Sequence, residues 1–279
     1  MPWSLDELIA ATPELAAMPA TSARLLDLLD EPDVGAAELV AVIEKDPGLT
    51  ANLLKLCNSA YYGVARELGT VREALVMLGN RTVVTLAFAA SMGRLLQAPV
   101  SGYRLPRGQL WRHALAVGLV AARLAPAEAA TVERNRLFTA GLIHDLGKLL
   151  LDRPLRDSLE QLPANLDYSS LVVCERDLLG FDHAMAGAAL AEAWNFPADL
   201  VEVIGHHHCP SPPGRPAALV MAADLLAADR GHHGGASRVL PEQRDLALQA
   251  AGLDPEGAIE LGDLALRDLD GLLALLGAG

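Results

Sequence analysis

Apolar residues recur along this chain at intervals of three and four, the spacing that loads one face of an α-helix. Thr21 to Asp30 (TSARLLDLLD) places Leu25, Leu28 and Leu29 on one face behind a Thr/Ser start suited to a helix N-terminus. Gly35 to Lys45 predicts a second short helix, ending before Asp46–Pro47 because proline disfavours a helical residue in front of it. Gly48 to Ser59 is a third, with Leu49, Leu53, Leu54 and Leu56 apolar, and Tyr61–Tyr62–Gly63 reads as a turn. Val71 to Leu78 and Arg81 to Leu96 give two more, broken near Gly79–Asn80.

Gln97 to Gly108 (QAPVSGYRLPRG) carries two prolines and two glycines and reads as a linker between two helical lobes. The second lobe is predicted to hold helices over Gln109 to Leu124, Val132 to Asp152, Tyr168 to Leu179, Asp182 to Asn195 and Pro197 to His207, the last with proline in its first turn. Cys209 to Pro216 (CPSPPGRP) is a rigid proline-rich loop, and Ala217 to Asp229 returns to helix. Gly231 to Ser237 is a Gly/His-rich loop expected to be mobile, and terminal helices around 241–251 and 258–276 close the chain. Neither an internal repeat nor an alternating, strand-like run is present. The expected fold class is all-α: an N-terminal helical lobe over 1–100, a second lobe over 101–230, and C-terminal helices over 231–279 that pack on the bundle.

Composition agrees with helix and narrows the setting. The 279 residues are 52% hydrophobic but only 4% aromatic, with Leu, Ala and Val supplying most of the apolar mass. A formal net charge of −13 argues against nucleic acid and anionic membrane surfaces as targets, although a local basic patch could still hold a small phosphorylated ligand. Cys57, Cys174 and Cys209 are odd in number and widely spaced, which suits a reducing cytoplasm better than a disulfide framework. The N-terminal segment has early acidic residues and no long apolar run, unlike a secretory signal. Thr82 to Gly93 is apolar for about a dozen residues, too short to span a bilayer and suited to a buried helix.

The histidines add the chemistry. Of eight, His232 and His233 sit in the GHHGG stretch and read as a surface loop; the other six lie between 113 and 208, on or at the ends of predicted helices. In GLIHDLGKLL, His144 and Asp145 interrupt an otherwise apolar helix. Adjacent helical residues point about 100° apart, so the two can clasp a cation from two sides of one helix edge. A buried carboxylate is costly alone. Asp145 therefore needs a partner: a divalent metal, or Lys148 at i+3 with His144 an ordinary core histidine. His113 (LWRHALAVGLV) and Asp224 (ALVMAADLLAA) are likewise isolated among apolar neighbours. Helical bundles bring such positions together around metals. Imidazole and carboxylate donors without thiolate suit Zn, Mn, Fe or Ni. His183 (FDHAMAG) and His206–His207 (VIGHHHC) are placed to serve a second ion, with Asp145 bridging one oxygen to each. Paired metals are a standard device for phosphoester hydrolysis, and Lys148 could add positive charge at the phosphate. The alternative for His206 to His208 is a solvated helix C-terminus favoured by the dipole.

At these residues the sequence resembles the HD superfamily of metal-dependent phosphohydrolases, whose H…HD…D order matches His113, His144–Asp145 and Asp224. The wider set, with Lys148, His183, His206 and His207, is similar to the binuclear pattern of the HD-GYP cyclic-di-GMP phosphodiesterases, and HDLGK is close to their HDxGK core. Over roughly residues 12 to 230 the chain more closely resembles the HDOD family, the HD-related output domain of bacterial signalling proteins. The segment from Ile43 to Gly63, IEKDPGLTANLLKLCNSAYYG, carries that likeness, together with LAAMPATSARLLDLLDEP and TVREALVMLGNRTVVTLAFA. HDOD members often lose metal ligands and are regarded as non-catalytic; here every ligand position is filled. The Gly-Tyr-Pro loop of HD-GYP enzymes is replaced by HCPSPPGRP, and the glutamate they place four residues before the first histidine is Gln109. A third metal and cyclic-di-GMP are therefore not expected.

The resemblance implies a cytoplasmic signalling protein with a site for one or two divalent transition metals and two functional readings. In the first, Asp145 and Lys148 act in a phosphohydrolase on a nucleotide or other phosphoester, with His113, His144, Asp145 and Asp224 on one ion and Asp145, His183, His206 and His207 on the other. In the second, the chain is a signal-output module that binds protein partners, a second copy of itself among them, or a nucleotide without turnover, its metal kept as structure or as a ligand clamp.

Overall fold

The computed structural model describes residues 4–31, 34–59, 61–158, 166–209, 211–236 and 238–276. The chain forms helices α1 (Leu5–Ala10), α2 (Ala20–Asp30), α3 (Ala36–Ile43), α4 (Pro47–Cys57), α5 (Val71–Leu78) and α6 (Asn80–Leu96) in its first third. Then follow α7 (Gln109–Leu124), α8 (Thr131–Ile143), α9 (Gly147–Asp157), α10 (Tyr168–Leu179), α11 (His183–Ala193), α12 (Ala198–His206) and α13 (Arg215–Asp229). Helices α14 (Pro241–Ala250), α15 (Pro255–Leu266) and α16 (Leu269–Leu276) close it. No strand occurs among the described residues, only two isolated bridges, Val100 with Leu105 and Asp167 with Arg238. The all-α expectation is met.

Helix starts follow local chemistry. Asp46 caps α4 by accepting from Leu49 N at 3.0 Å, with Pro47 at the first helical position, so the Asp–Pro pair both ends one helix and begins the next. Asp182 caps α11 in the same way, accepting from Met185 N at 2.8 Å, and thereby makes His183 the first helical residue. Helix α6 is buried nearly all round and packs against α2, α4, α7 and α8. It joins the N-terminal helices to α7 and α8, while α4 also meets α16 and α1 meets α11. One hydrophobic cluster runs from Leu25 and Leu53 through Phe88 and Trp111 to Leu190, Leu219 and Leu273.

Three expectations change. The helix predicted over Val132 to Asp152 is two helices, and His144–Asp145–Leu146 forms the junction between them. There the backbone bonds shorten to three-residue spacing, Leu146 N to Ile143 O at 3.1 Å and Lys148 N to Asp145 O at 3.0 Å. Packing explains the site of the junction: a Cβ on Gly147 would lie 1.9 Å from the carbonyl oxygen of His183, so α9 starts where it can press directly on the backbone of α11. Second, residues 97–108 are no loose linker. Val100, Tyr103 and Leu105 are buried, and Gly102 N donates to Asp152 Oδ1 at 2.7 Å. Third, the C-terminal helix over 258–276 divides at Arg267 and Asp268.

Helices α7 and α8 form an antiparallel pair whose closest approach is Gly118 against Gly141, where an added Cβ would meet backbone at 2.9 Å. His113 lies five residues before that crossing and His144 three after it, so the pair delivers both imidazoles to one end. Replacing Gly147 by Ala should destabilise the protein by about 2–3 kcal/mol or more, read as a lower urea midpoint at unchanged slope. Gly271→Ala, inside α16 with nothing within 4 Å of its added Cβ, should not destabilise the protein. Equal effects would refute the packing argument.

Candidate metal centre

Five parts of the chain meet at one buried point: α7 with His113, the α8–α9 junction with His144 and Asp145, the start of α11 with His183, the end of α12 with His207 and His208, and the middle of α13 with Asp224. His113, His144, Asp145, His183, His207 and Asp224 are all at most 1% exposed. They form two groups. Asp145, His183, His207 and His208 bring ligand atoms within 4.8 Å of one another, and so do His113, His144 and Asp224.

Asp145 lies between the groups. Its Oδ2 is 3.1 Å from His113 Nε2 and 3.5 Å from His144 Nε2. Its Oδ1 is 3.3 Å from His183 Nε2 and 3.8 Å from His207 Nε2. Asp224 Oδ1 completes the first group at 3.3 Å from His113 Nε2.

The outer nitrogens of the imidazoles are held by the protein. Nδ1 donates to the His232 carbonyl from His113, to the Gly141 carbonyl from His144 and to the Ile204 carbonyl from His207, each at 2.7 Å. In His183 it donates to the Glu175 carboxylate at 2.7 Å. A ring nitrogen facing a carbonyl carries the proton, so Nε2 presents a lone pair. Those lone pairs converge: His113 and His144 Nε2 are 3.2 Å apart, and His183 and His208 Nε2 2.9 Å. His207 Nε2 and Asp145 Oδ1 are buried with no hydrogen-bond partner. Three buried carboxylates, Asp145, Glu175 and Asp224, face one buried ammonium, Lys148, among the described residues of the site. Convergent lone pairs with excess negative charge fit one or two divalent cations.

Burial penalises charge throughout, and the neighbours decide the outcome. It lowers His144 and pushes His207 and His208 well below the ordinary imidazole range, so these rings stay neutral. At His183 burial is outweighed by the Glu175 carboxylate, which raises the ring to about 9, so a cation would bind its Nε2 by displacing a proton. Burial also opposes a charge on Asp145, but the Lys148 ammonium beside it holds its carboxyl well below the usual range.

The structure brings together six of the seven predicted ligands and replaces the seventh. His206 is exposed, and its Nδ1 donates back to the Glu202 carbonyl at 2.8 Å. His208 stands in its place. Helix α12 ends at His206 and the chain turns at His207, so the next two residues swing inward while His206 keeps the outward face. Lys148 takes the pairing that was the alternative to metal: its Nζ lies 2.6 Å from Asp145 Oδ2, over the Tyr103 ring at 5.7 Å, and it is buried.

Several site residues escaped the sequence reading. Glu175 receives both the backbone N and Nδ1 of His183, and Tyr103 Oη donates to it at 2.7 Å. A signal was present: Glu175 shares the buried face of α10 with Leu171, Val172 and Leu179. Tyr168 Oη donates to Asp224 at 3.0 Å. The GHHGG stretch is not a free surface loop. Its His232 carbonyl orients His113, its His233 carbonyl accepts from Gln109 Nε2 at 3.2 Å, and its Gly234 is buried. A Cβ on Gly234 would lie 2.5 Å from Asp145 Oδ2, so this backbone roofs the centre and only glycine fits there.

Two substitutions separate the readings of the histidine run. His208→Ala should lower bound transition metal by about one equivalent in elemental analysis, whereas His206→Ala should retain the full content. Glu175→Gln should weaken metal affinity about 10- to 100-fold with the fold intact, because His183 loses its orienting carboxylate. Loss of metal in His206→Ala and none in His208→Ala would reject the site as described.

Comparison with known proteins agrees with this geometry. A model of the HDOD domain family matches residues 15–210. An uncharacterized protein of Treponema pallidum is 31% identical over 196 residues, covering 68% of this chain; the match spans 37% of that relative's length. Among solved structures, an HDOD domain protein of unknown function from Geobacter sulfurreducens has a TM-score of 0.71 at 23% identity, covering 98% of this chain and 95% of that one. A Shewanella amazonensis protein named "Putative phosphohydrolase" has a TM-score of 0.68 at 27% identity, covering 97% and 95%. The sequence match over most of the chain, with the same helical architecture throughout, shows that this protein belongs to the HDOD family.

Proposed function

We propose that this chain is a metal-dependent phosphohydrolase of bacterial signalling, acting on a nucleotide or another small phosphoester. One observation carries the reading: Asp145 turns one carboxylate oxygen to each of two histidine groups, the arrangement expected of a bridging ligand. The name of the Shewanella amazonensis neighbour points to the same chemistry. Fe, Mn, Zn or Ni suits the donors. Two such ions, when bound, would activate water and neutralise charge on a phosphate.

The protein's own residues then have defined tasks. His113, His144 and Asp224 would hold one ion and His183, His207 and His208 the other, with Asp145 between the two groups. Glu175 and the carbonyls of Gly141, Ile204 and His232 fix the rings. Lys148 holds positive charge beside Asp145 and offers it to a bound phosphate. Gly234 lies directly over Asp145, so a substrate reaches the centre only when the 231–236 backbone lifts.

That roof also favours a second reading, a non-catalytic output module whose metal is structural. Under either reading we place the protein in the cytoplasm, engaging other signalling proteins or a second copy of itself, with neither nucleic acid nor membrane as its target. The net charge of −13 supports this, as does the lack, among the described residues, of a helix long and apolar enough to cross a membrane.

Turnover decides between the two. Protein loaded with Mn or Fe should hydrolyse bis(p-nitrophenyl) phosphate, and Asp145→Asn should lower kcat/KM at least 100-fold. Fully loaded protein that turns over neither this substrate nor a nucleotide panel would overturn the hydrolase reading and leave the metal a structural role.

A further inference from the structure

A second polar site lies away from the metal centre. Where the turn after α4 faces α7, α8 and the α15–α16 corner, the structure holds a cavity of about 590 Å3, within the range of roughly 300–1,000 Å3 typical of small-molecule pockets. Several separate helices line it, so it is a junction rather than a groove on one element.

Its lining combines aromatic rings with polar and cationic side chains. Tyr61 and Tyr62 line it and meet edge to face with ring centres 5.0 Å apart. The Asn135 amide nitrogen is buried and without a partner. Arg123 is exposed at the rim with no carboxylate paired to it among the described residues. Arg134 is held in place by the carbonyls of Pro126 and Ala127, each at 2.9 Å, contacts that fix the guanidinium without cancelling its charge. The lining thus sets two arginines against a single carboxylate, Asp268, in a protein whose net charge is −13.

We propose that this inter-lobe cavity binds a small anion bearing an aromatic ring, of the size and chemistry of a nucleoside monophosphate. The tyrosines offer ring faces and hydroxyls to a base, which stacking rewards without strict sequence choice. The arginines offer planar donors to a phosphate. Asn135 supplies a donor to a base or sugar oxygen. The site is independent of the metal centre and of whether that centre turns anything over. It shares α7 and α8 with the centre, since these helices carry His113 and lead into His144, so an occupant would touch elements that position metal ligands.

Isothermal titration of the full chain with AMP, GMP, CMP and UMP tests this, with inorganic phosphate and adenosine as fragments. At least one nucleotide should saturate at or below millimolar concentration, more tightly than either fragment. Arg123→Ala, at an exposed position, should weaken it about tenfold. Binding should persist in Asp145→Asn and in wild-type protein treated with EDTA, which separates this cavity from the metal centre even if the variant folds poorly. No saturation by any nucleotide would overturn the proposal. So would binding that EDTA abolishes, or binding indifferent to Arg123.

Discussion

Imidazole nitrogens brought this close, His113 against His144 and His183 against His208, are not a stable arrangement by themselves. At 2.9–3.2 Å their lone pairs repel wherever neither nitrogen carries a proton, and the carboxylates among them add buried negative charge. A cation removes both problems together. The rest of the site follows from that requirement: backbone carbonyls and Glu175 hold the rings in the ligating tautomer, Tyr168 supports Asp224, and Lys148 shares the charge of Asp145. Half of these supports are backbone atoms, and they depend on helix ends rather than on side-chain identity.

Close backbone approach is how the fold delivers the ligands. Gly118 against Gly141 seats α7 on α8, and Gly147 against His183 seats α9 on α11. The glycines therefore set the spacing between His113, His144 and His183 as firmly as the histidines themselves set the chemistry. The same principle closes the centre from above, where Gly234 passes over Asp145 too tightly for any side chain. A closed metal site, under a roof that must lift for chemistry, is compatible with an enzyme that opens and with a module that never does. The resemblance to HDOD proteins accommodates both. The inter-lobe cavity offers a separate place where a small ligand could act on the same helices.

Most of the fold was legible in the chain. Three- and four-residue apolar spacing located the helices, and Asp46–Pro47 and Gly79–Asn80 marked boundaries through local geometry alone. Where the reading failed, tertiary contact had overruled a continuous helical pattern. GLIHDLGKLL is apolar enough to run unbroken, yet the chain breaks there because α9 must meet α11. The segment 97–108 has the composition of a linker, yet it is packed because Asp152 and a neighbouring apolar surface receive it.

Metal chemistry was also written locally, in isolated imidazoles and carboxylates on apolar faces, because a buried polar group needs a partner whatever the fold. Which histidine of the run His206–His207–His208 turns inward was not. Three identical neighbours carry no preference, and the end of α12 decides the matter by rotating His207 and His208 toward His183. Nor could local pattern show that the GHHGG loop lies over the centre, since Gly and His on a polar stretch look the same exposed or folded inward. Residue type and spacing determined that a cation site exists; long-range packing determined which atoms face it and what covers it.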